Sequence, residues 1–161
     1  MDNAQKIQLI ESFYTAFQNK NVEGMKACYH PKVTFKDEAF PNLQGKEVTA
    51  MWDMLIQGGK DMRLTFKDIQ ADERSGRATW EAFYTLSLTG RKVHNIISAH
   101  FEFQDDKIIK HHDKFDFWRW SRQAFGLTGW LLGWTPVLRK KVQKTVRERL
   151  NKFISNHPEY Q

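Results

Sequence analysis

Apolar residues recur every three or four positions through the first part of the chain and every second position through its middle. From Asn3 to Phe17, residues Ile7, Ile10, Phe13, Tyr14 and Phe17 share one side of a predicted helix that Asp2 or Asn3 can cap. Asn19-Lys20-Asn21 breaks this pattern. A shorter helix over Val22 to Tyr29 follows and stops at His30-Pro31, because a residue before proline is pushed out of helical backbone. Val33 to Asp37 alternates as a short strand, and Phe40 to Gly45 reads as loop. Lys46 to Gln57 forms a third helix with Val48, Met51, Trp52 and Leu55 on one side, ended by Gly58-Gly59. From Met62 the period becomes two. Met62 to Asp72, Arg77 to Ser87, Lys92 to Phe103 and Lys107 to Trp118 read as four strands, the last two joined by a Gln104-Asp105-Asp106 turn.

Helices followed by strands is an α+β order. The predicted architecture is a cone: three N-terminal helices laid on one face of a long, curled, mostly antiparallel sheet, enclosing a pocket. On that face the second strand puts Trp80, Ala82, Tyr84 and Leu86, and the third puts Asn95, Ile97, Ala99, Phe101 and Phe103. The fourth contributes Ile109, His111, Asp113, Phe115 and Phe117. Beyond it, Ser121 to Phe125 reads as a helical turn and Gly126 to Trp134 as an apolar stretch punctuated by glycine. Pro136 then opens a last helix reaching Ile154, with Leu138, Val142, Val146, Leu150 and Phe153 on a narrow stripe among basic residues. Residues 1–118 are thus one domain, and 119–161 an extension packed on it.

The net charge of +6 is confined to that extension. Residues 1–118 hold 16 basic and 17 acidic side chains, a net of −1, whereas 119–161 hold 9 and 2, a net of +7. A neutral main body argues against a nucleic-acid partner, which would be met by a basic surface tracking phosphates. The narrow stripe favours packing of the last helix on its own domain or on a second subunit. Peripheral contact of this basic helix and the Trp130–Trp134 segment with an anionic membrane is the lesser reading. No apolar run approaches a bilayer span and the N-terminus lacks the apolar stretch of a signal peptide, so a cytoplasmic protein is expected. The single cysteine, Cys28, reads as a buried structural thiol.

The strongest chemical signal is Asp113 with His111 two residues before it, on a face otherwise made of Ile and Phe. A carboxylate among phenylalanines requires a hydrogen-bond partner, a water or a use, because burying it unpaired costs several kcal/mol. As chemistry, Asp113 is the candidate acid or base, His111 its proton relay and Asp37 a second carboxylate. As structure, the same groups satisfy one another, with Asn95 as a further partner, and Asp37 forms a turn. Trp52, Trp80, Tyr84, Asn95, Phe35 and Phe115 are the candidate ligand-binding residues, suited to a small apolar molecule. Beyond His111 and Asp113 no third ligand has readable spacing, so neither a metal nor another cofactor is expected.

The order of elements, with the phrases FYTAFQNKNVEGMKACYHPKVTFKD, LTGRKVHN and DDKIIKHHDKFD, resembles the SnoaL-like branch of the nuclear transport factor 2-like superfamily over Ala4 to about Phe117. The superfamily also includes ketosteroid isomerase, polyketide cyclases and limonene-epoxide hydrolase. The resemblance implies a cone-shaped α+β fold with an internal pocket, and pairing as a homodimer. The ketosteroid isomerase base falls on Asp37, but its two acidic oxyanion donors fall near Phe13 or Tyr14 and on Ala99. One catalytic aspartate of the epoxide hydrolases falls on Asp113; their arginine and second aspartate fall on Trp80 and Ala82, their asparagine on Asp37 and their tyrosine on Phe35. The functional aspartate of the SnoaL cyclases falls on Asp113 or Asp116. Two functions follow: an isomerase, cyclase or hydrolase using Asp/His acid–base chemistry without a cofactor, or a non-catalytic module for ligand binding or dimerisation.

Overall fold

The computed structural model describes residues 1–161. Helix α1 (Asn3–Gln18) opens with a capping box: Asp2 accepts from the Gln5 backbone N–H, and the Gln5 side chain accepts from Asp2 N–H. Helix α2 (Val22–Cys28) runs directly into strand β1 (Tyr29–Lys36). The strand is longer than the expected Val33 to Asp37 and passes through Pro31. Between Tyr29 and Thr34 its pairing is irregular, as proline, with no N–H to give, requires. The expected loop after it contains a two-residue strand, β2 (Leu43–Gln44), and α3 (Lys46–Gly58) follows.

Strands β3 (Arg63–Ala71), β4 (Ser75–Leu86), β5 (Arg91–Gln104) and β6 (Lys107–Phe115) complete a six-stranded sheet in the order β2-β1-β6-β5-β4-β3, in which only β1 and β6 run parallel. The turn between β5 and β6 is two residues, Asp105 and Asp106, both with positive φ, the backbone that matches the twist of a hairpin. Irregular pairing between Lys67 and Gln70, with Asp68 at φ 56°, and between Glu102 and Phe103 bends the sheet around α1 and α3. The second irregularity corrects the expected alternation. Ile108 pairs with Phe103 and is fully buried, while Ile109 is displaced from the core face; His111 and Asp113 keep theirs.

Strand β6 also ends three residues before the expected Trp118. Asp116 accepts from the Arg119 backbone N–H and starts helix α4 (Phe117–Phe125), so Phe117 is buried from a helix. A short helix α5 (Leu127–Leu132) replaces the stretch read only as glycine-punctuated. It lies so close to α4 that a Cβ on Gly129 would sit 1.8 Å from the Ser121 carbonyl oxygen, and one on Gly133 would sit 1.9 Å from Ser121 Oγ. Helix α6 (Pro136–Ser155) buries Leu138, Val142 and Leu150 and packs against α3. Arg139 pairs with Glu38 at 2.8 Å and Arg147 with Glu47 at 2.7 Å, tying the helix across the open end of the sheet. Cys28 is buried, and burial raises the pKa of its thiol. No helix is long and apolar enough to cross a membrane.

Candidate active site

A cavity of about 680 Å³, lined mainly by apolar side chains, lies between the curled sheet, α3 and α6. Asp113 and Asp37 reach it, as do Trp52, Trp80, Tyr84, Asn95 and Phe115. Two expected members do not. His111 and Phe35 sit behind the wall, where Phe35 meets the imidazole edge-on at 5.1 Å between ring centres. Phe35 thus packs against His111 and does not line this cavity.

His111 is 1% exposed and enclosed by the rings of Phe13, Tyr29, Phe35, Trp52 and Phe101. It bridges two buried groups. Its Nδ1 lies 2.7 Å from the Tyr29 hydroxyl, which itself accepts from Trp52 Nε1 at 2.9 Å, and its Nε2 lies 3.0 Å from Asp113 Oδ1. An indole N–H can only donate, so the phenol oxygen accepts it and keeps its own hydrogen to give. The two ring nitrogens of His111 thus hold Tyr29 on one side and Asp113 on the other. The row ends at the cavity, where Asp113 Oδ2 has no hydrogen-bond partner in the protein.

Asp37 approaches from the neighbouring strand. In the parallel pair, Phe35 lies opposite His111 and Lys36 opposite His112, so the next residue of each strand brings Asp37 alongside Asp113. Its Oδ1 accepts from the Ala39 N–H at 2.7 Å and from the Phe40 N–H, the expected turn, while Oδ2 has no protein partner. Burial is the main reason its pKa is pushed up to about 7; the turn hydrogen bonds oppose the rise and the Asp113 charge adds to it. The two carboxyls thus differ in kind. One is hydrogen-bonded to a buried imidazole, and the other holds its proton to near neutrality.

Tyr84 accepts from Trp120 Nε1 at 2.8 Å, and its pKa is raised by burial and, to a lesser degree, by the charge of Asp37. The Asn95 side chain makes no hydrogen bond to the protein. It does not partner Asp113, because Asp113 pairs with Ala99, four residues further along β5. Two residues add to the site beyond those read from the sequence. Tyr29, assigned there to the end of a helix, links Trp52 to His111. Tyr14 is fully buried, with its hydroxyl unpartnered and its pKa raised well above the usual value by burial and then by Asp113. No three His, Cys, Asp or Glu side chains converge to hold a metal ion.

The SnoaL-like domain family model matches residues 10–111. No curated protein matches the chain significantly. Among solved structures, a Mycobacterium tuberculosis LEH-like epoxide hydrolase is 19% identical with a TM-score of 0.62, covering 84% of this chain and 96% of its own. A nuclear transport factor 2-like protein of unknown function from Burkholderia pseudomallei is 18% identical with a TM-score of 0.67, covering 78% and 100%. TerC, co-crystallised with polyporic acid, is 17% identical with a TM-score of 0.58, covering 70% and 92%. These likenesses place the fold among the cone-shaped nuclear transport factor 2-like proteins.

Proposed function

The chain belongs to the SnoaL-like domain family, and on that premise we propose that its cavity is the active site of an isomerase or cyclase acting on a small, largely apolar carbonyl compound. Asp113 is the general base and Asp37 the general acid. A carbon-bound proton next to the carbonyl passes to Asp113 Oδ2, the electron pair left behind forms the enol double bond, and the carbonyl oxygen takes the Asp37 proton. Return of a proton to a different carbon, or attack of the enol carbon on a second electrophilic centre of the same molecule, completes isomerisation or ring closure. His111 is a positioning residue, since it is walled off from ligand and acts by holding Asp113. Trp52 and Trp80, packed edge to face on each other, give the substrate an aromatic wall, and the unpartnered Asn95 amide is free to grip a polar substituent. That TerC was crystallised with polyporic acid is in keeping with a planar, oxygenated ligand.

The observation that carries this reading is the pairing of unlike carboxyls at one cavity, a base fixed by hydrogen bonding beside an acid protonated to about pH 7. The rival reading, a ligand-binding module, draws on the completeness of the Trp52–Tyr29–His111–Asp113 row, which needs no reaction to explain it. Deuterium wash-in from heavy water into a panel of cyclic ketones and enones, followed by NMR, separates the two. Wild type is expected to catalyse exchange, and Asp113→Asn, which keeps the shape and an acceptor for His111, to lose about 10²–10⁴-fold. Exchange unaltered in Asp113→Asn, or ligand-dependent quenching of tryptophan fluorescence without exchange, favours the module.

A further inference from the structure

Helix α5 is packed inside out. A short surface helix normally turns its large apolar side chains inward, but here Gly129 and Gly133 face α4, at contact distances only glycine allows. Everything large between and around them is directed outward. Leu127 is 73% exposed, Trp130 54%, Trp134 72% and Val137 71%, with Leu131 and Leu132 about half exposed. Isolated exposed apolar residues are ordinary, but six within eleven positions form a continuous ridge. The ridge also needs little water. Trp134 Nε1 donates to the Leu131 carbonyl, so that indole is already satisfied, and the Trp130 carbonyl accepts from Trp118 Nε1.

Charge specifies what the ridge meets. From Arg119 to Arg147 there are seven basic residues and no acidic one. Val137, Lys140, Lys141 and Lys144 lie one turn apart on the exposed face of α6, directly after Trp134, and Lys140 and Lys141 make no ion pair. A second copy of the chain is a poor occupant. A two-fold contact through this ridge would bring each set of lysines against its own duplicate. An anionic lipid surface fits both parts, taking the tryptophans and leucines at the level of its headgroups and the lysines against its charge.

We propose that the α5 ridge and the exposed lysines at the start of α6 form a peripheral docking surface for an anionic bilayer. The cavity reaches this surface, since Leu88, Thr128 and Lys141 belong to its lining.

Sedimentation of the full chain with phosphatidylcholine vesicles, with and without a minority of phosphatidylglycerol, tests the proposal. Binding is expected only with phosphatidylglycerol and is expected to weaken with salt. Lys140→Gln/Lys144→Gln should lower partitioning about 25-fold, on the basis of roughly fivefold per basic residue at the surface. Trp130→Ser/Trp134→Ser should lower it at least about tenfold by removing the inserted rings. Because the substituted side chains are exposed, circular dichroism of both variants should match wild type. Equal sedimentation with and without phosphatidylglycerol, none with either, or binding unaltered by the tryptophan substitutions overturns the proposal. So does a concentration-dependent dimer in analytical ultracentrifugation that the tryptophan substitutions abolish.

Discussion

Asp37→Asn is the most informative single substitution. Asparagine keeps Oδ1 to accept from the Ala39 and Phe40 backbone N–H groups, so the turn is retained and only the titrating proton is lost. In the folded protein burial pushes the Asp37 pKa from 3.8 to about 7. The unfolded chain therefore releases its proton near pH 4, whereas the folded chain holds it to near neutrality. Relative to a side chain that does not titrate, Asp37 carries no penalty at low pH. The penalty develops as pH rises through the unfolded value and is complete above the folded one. A shift of about three units at 1.36 kcal/mol each sets a ceiling of about 4 kcal/mol. Residual contact of Asp37 with water and its coupling to Asp113 reduce this to about 2–4 kcal/mol. Urea denaturation at a series of pH values reads it directly. Asp37→Asn should match wild type near pH 3 and exceed it by about 2–4 kcal/mol at pH 8, the difference growing between. Parallel stability curves for the two proteins would refute the argument, and with it the assignment of Asp37 as an acid protonated near neutrality.

Tyr29→Phe removes the hydroxyl between Trp52 and His111 and leaves a buried indole N–H and a buried imidazole nitrogen unpaired; a loss of about 1–3 kcal/mol is expected in thermal or urea unfolding. An unchanged midpoint would mean that the row is not a stabilising unit. Gly129→Ala places a methyl group 1.8 Å from the Ser121 carbonyl, which neither backbone can absorb, so α5 should separate from α4. The expected cost is about 1–3 kcal/mol or more, with faster amide hydrogen exchange over Leu127–Leu132, and unchanged protection there would count against the close packing.

The pattern of apolar residues locates the sheet well because β4 and β5 are long, regularly paired and buried on one face, so that Trp80, Ala82, Asn95, Ile97 and Ala99 all lie where alternation puts them. Alternation fails at Ile108 and Ile109, where one extra residue inserts into the ladder, and no feature of two adjacent isoleucines announces which is displaced. It also carries β6 too far. Phe117 and Trp118 continue the alternating pattern, and only the cap on Asp116 stops it. Asp113 and His111 are legible as a pair because both are polar on a greasy strand. Tyr29 is not, because its partner is 82 residues away and meets it only through the parallel pairing of β1 with β6. The pairing of Asp37 with Asp113 depends on the same long-range contact. In α5 the glycines read as breaks in structure, whereas their role is to allow two helices to touch.

The helix across the open end of the sheet has a consequence for how such a protein can diverge. Leu138, Lys141, Val142, Thr145, Val146 and Arg149 contribute one wall of the hollow, and all belong to α6, whereas the two carboxyls come from β6 and the end of β1. This wall and the two carboxyls thus lie in separate segments of the chain. Substitutions in the terminal segment can therefore reshape that side of the hollow while leaving the strands that hold both carboxyls untouched.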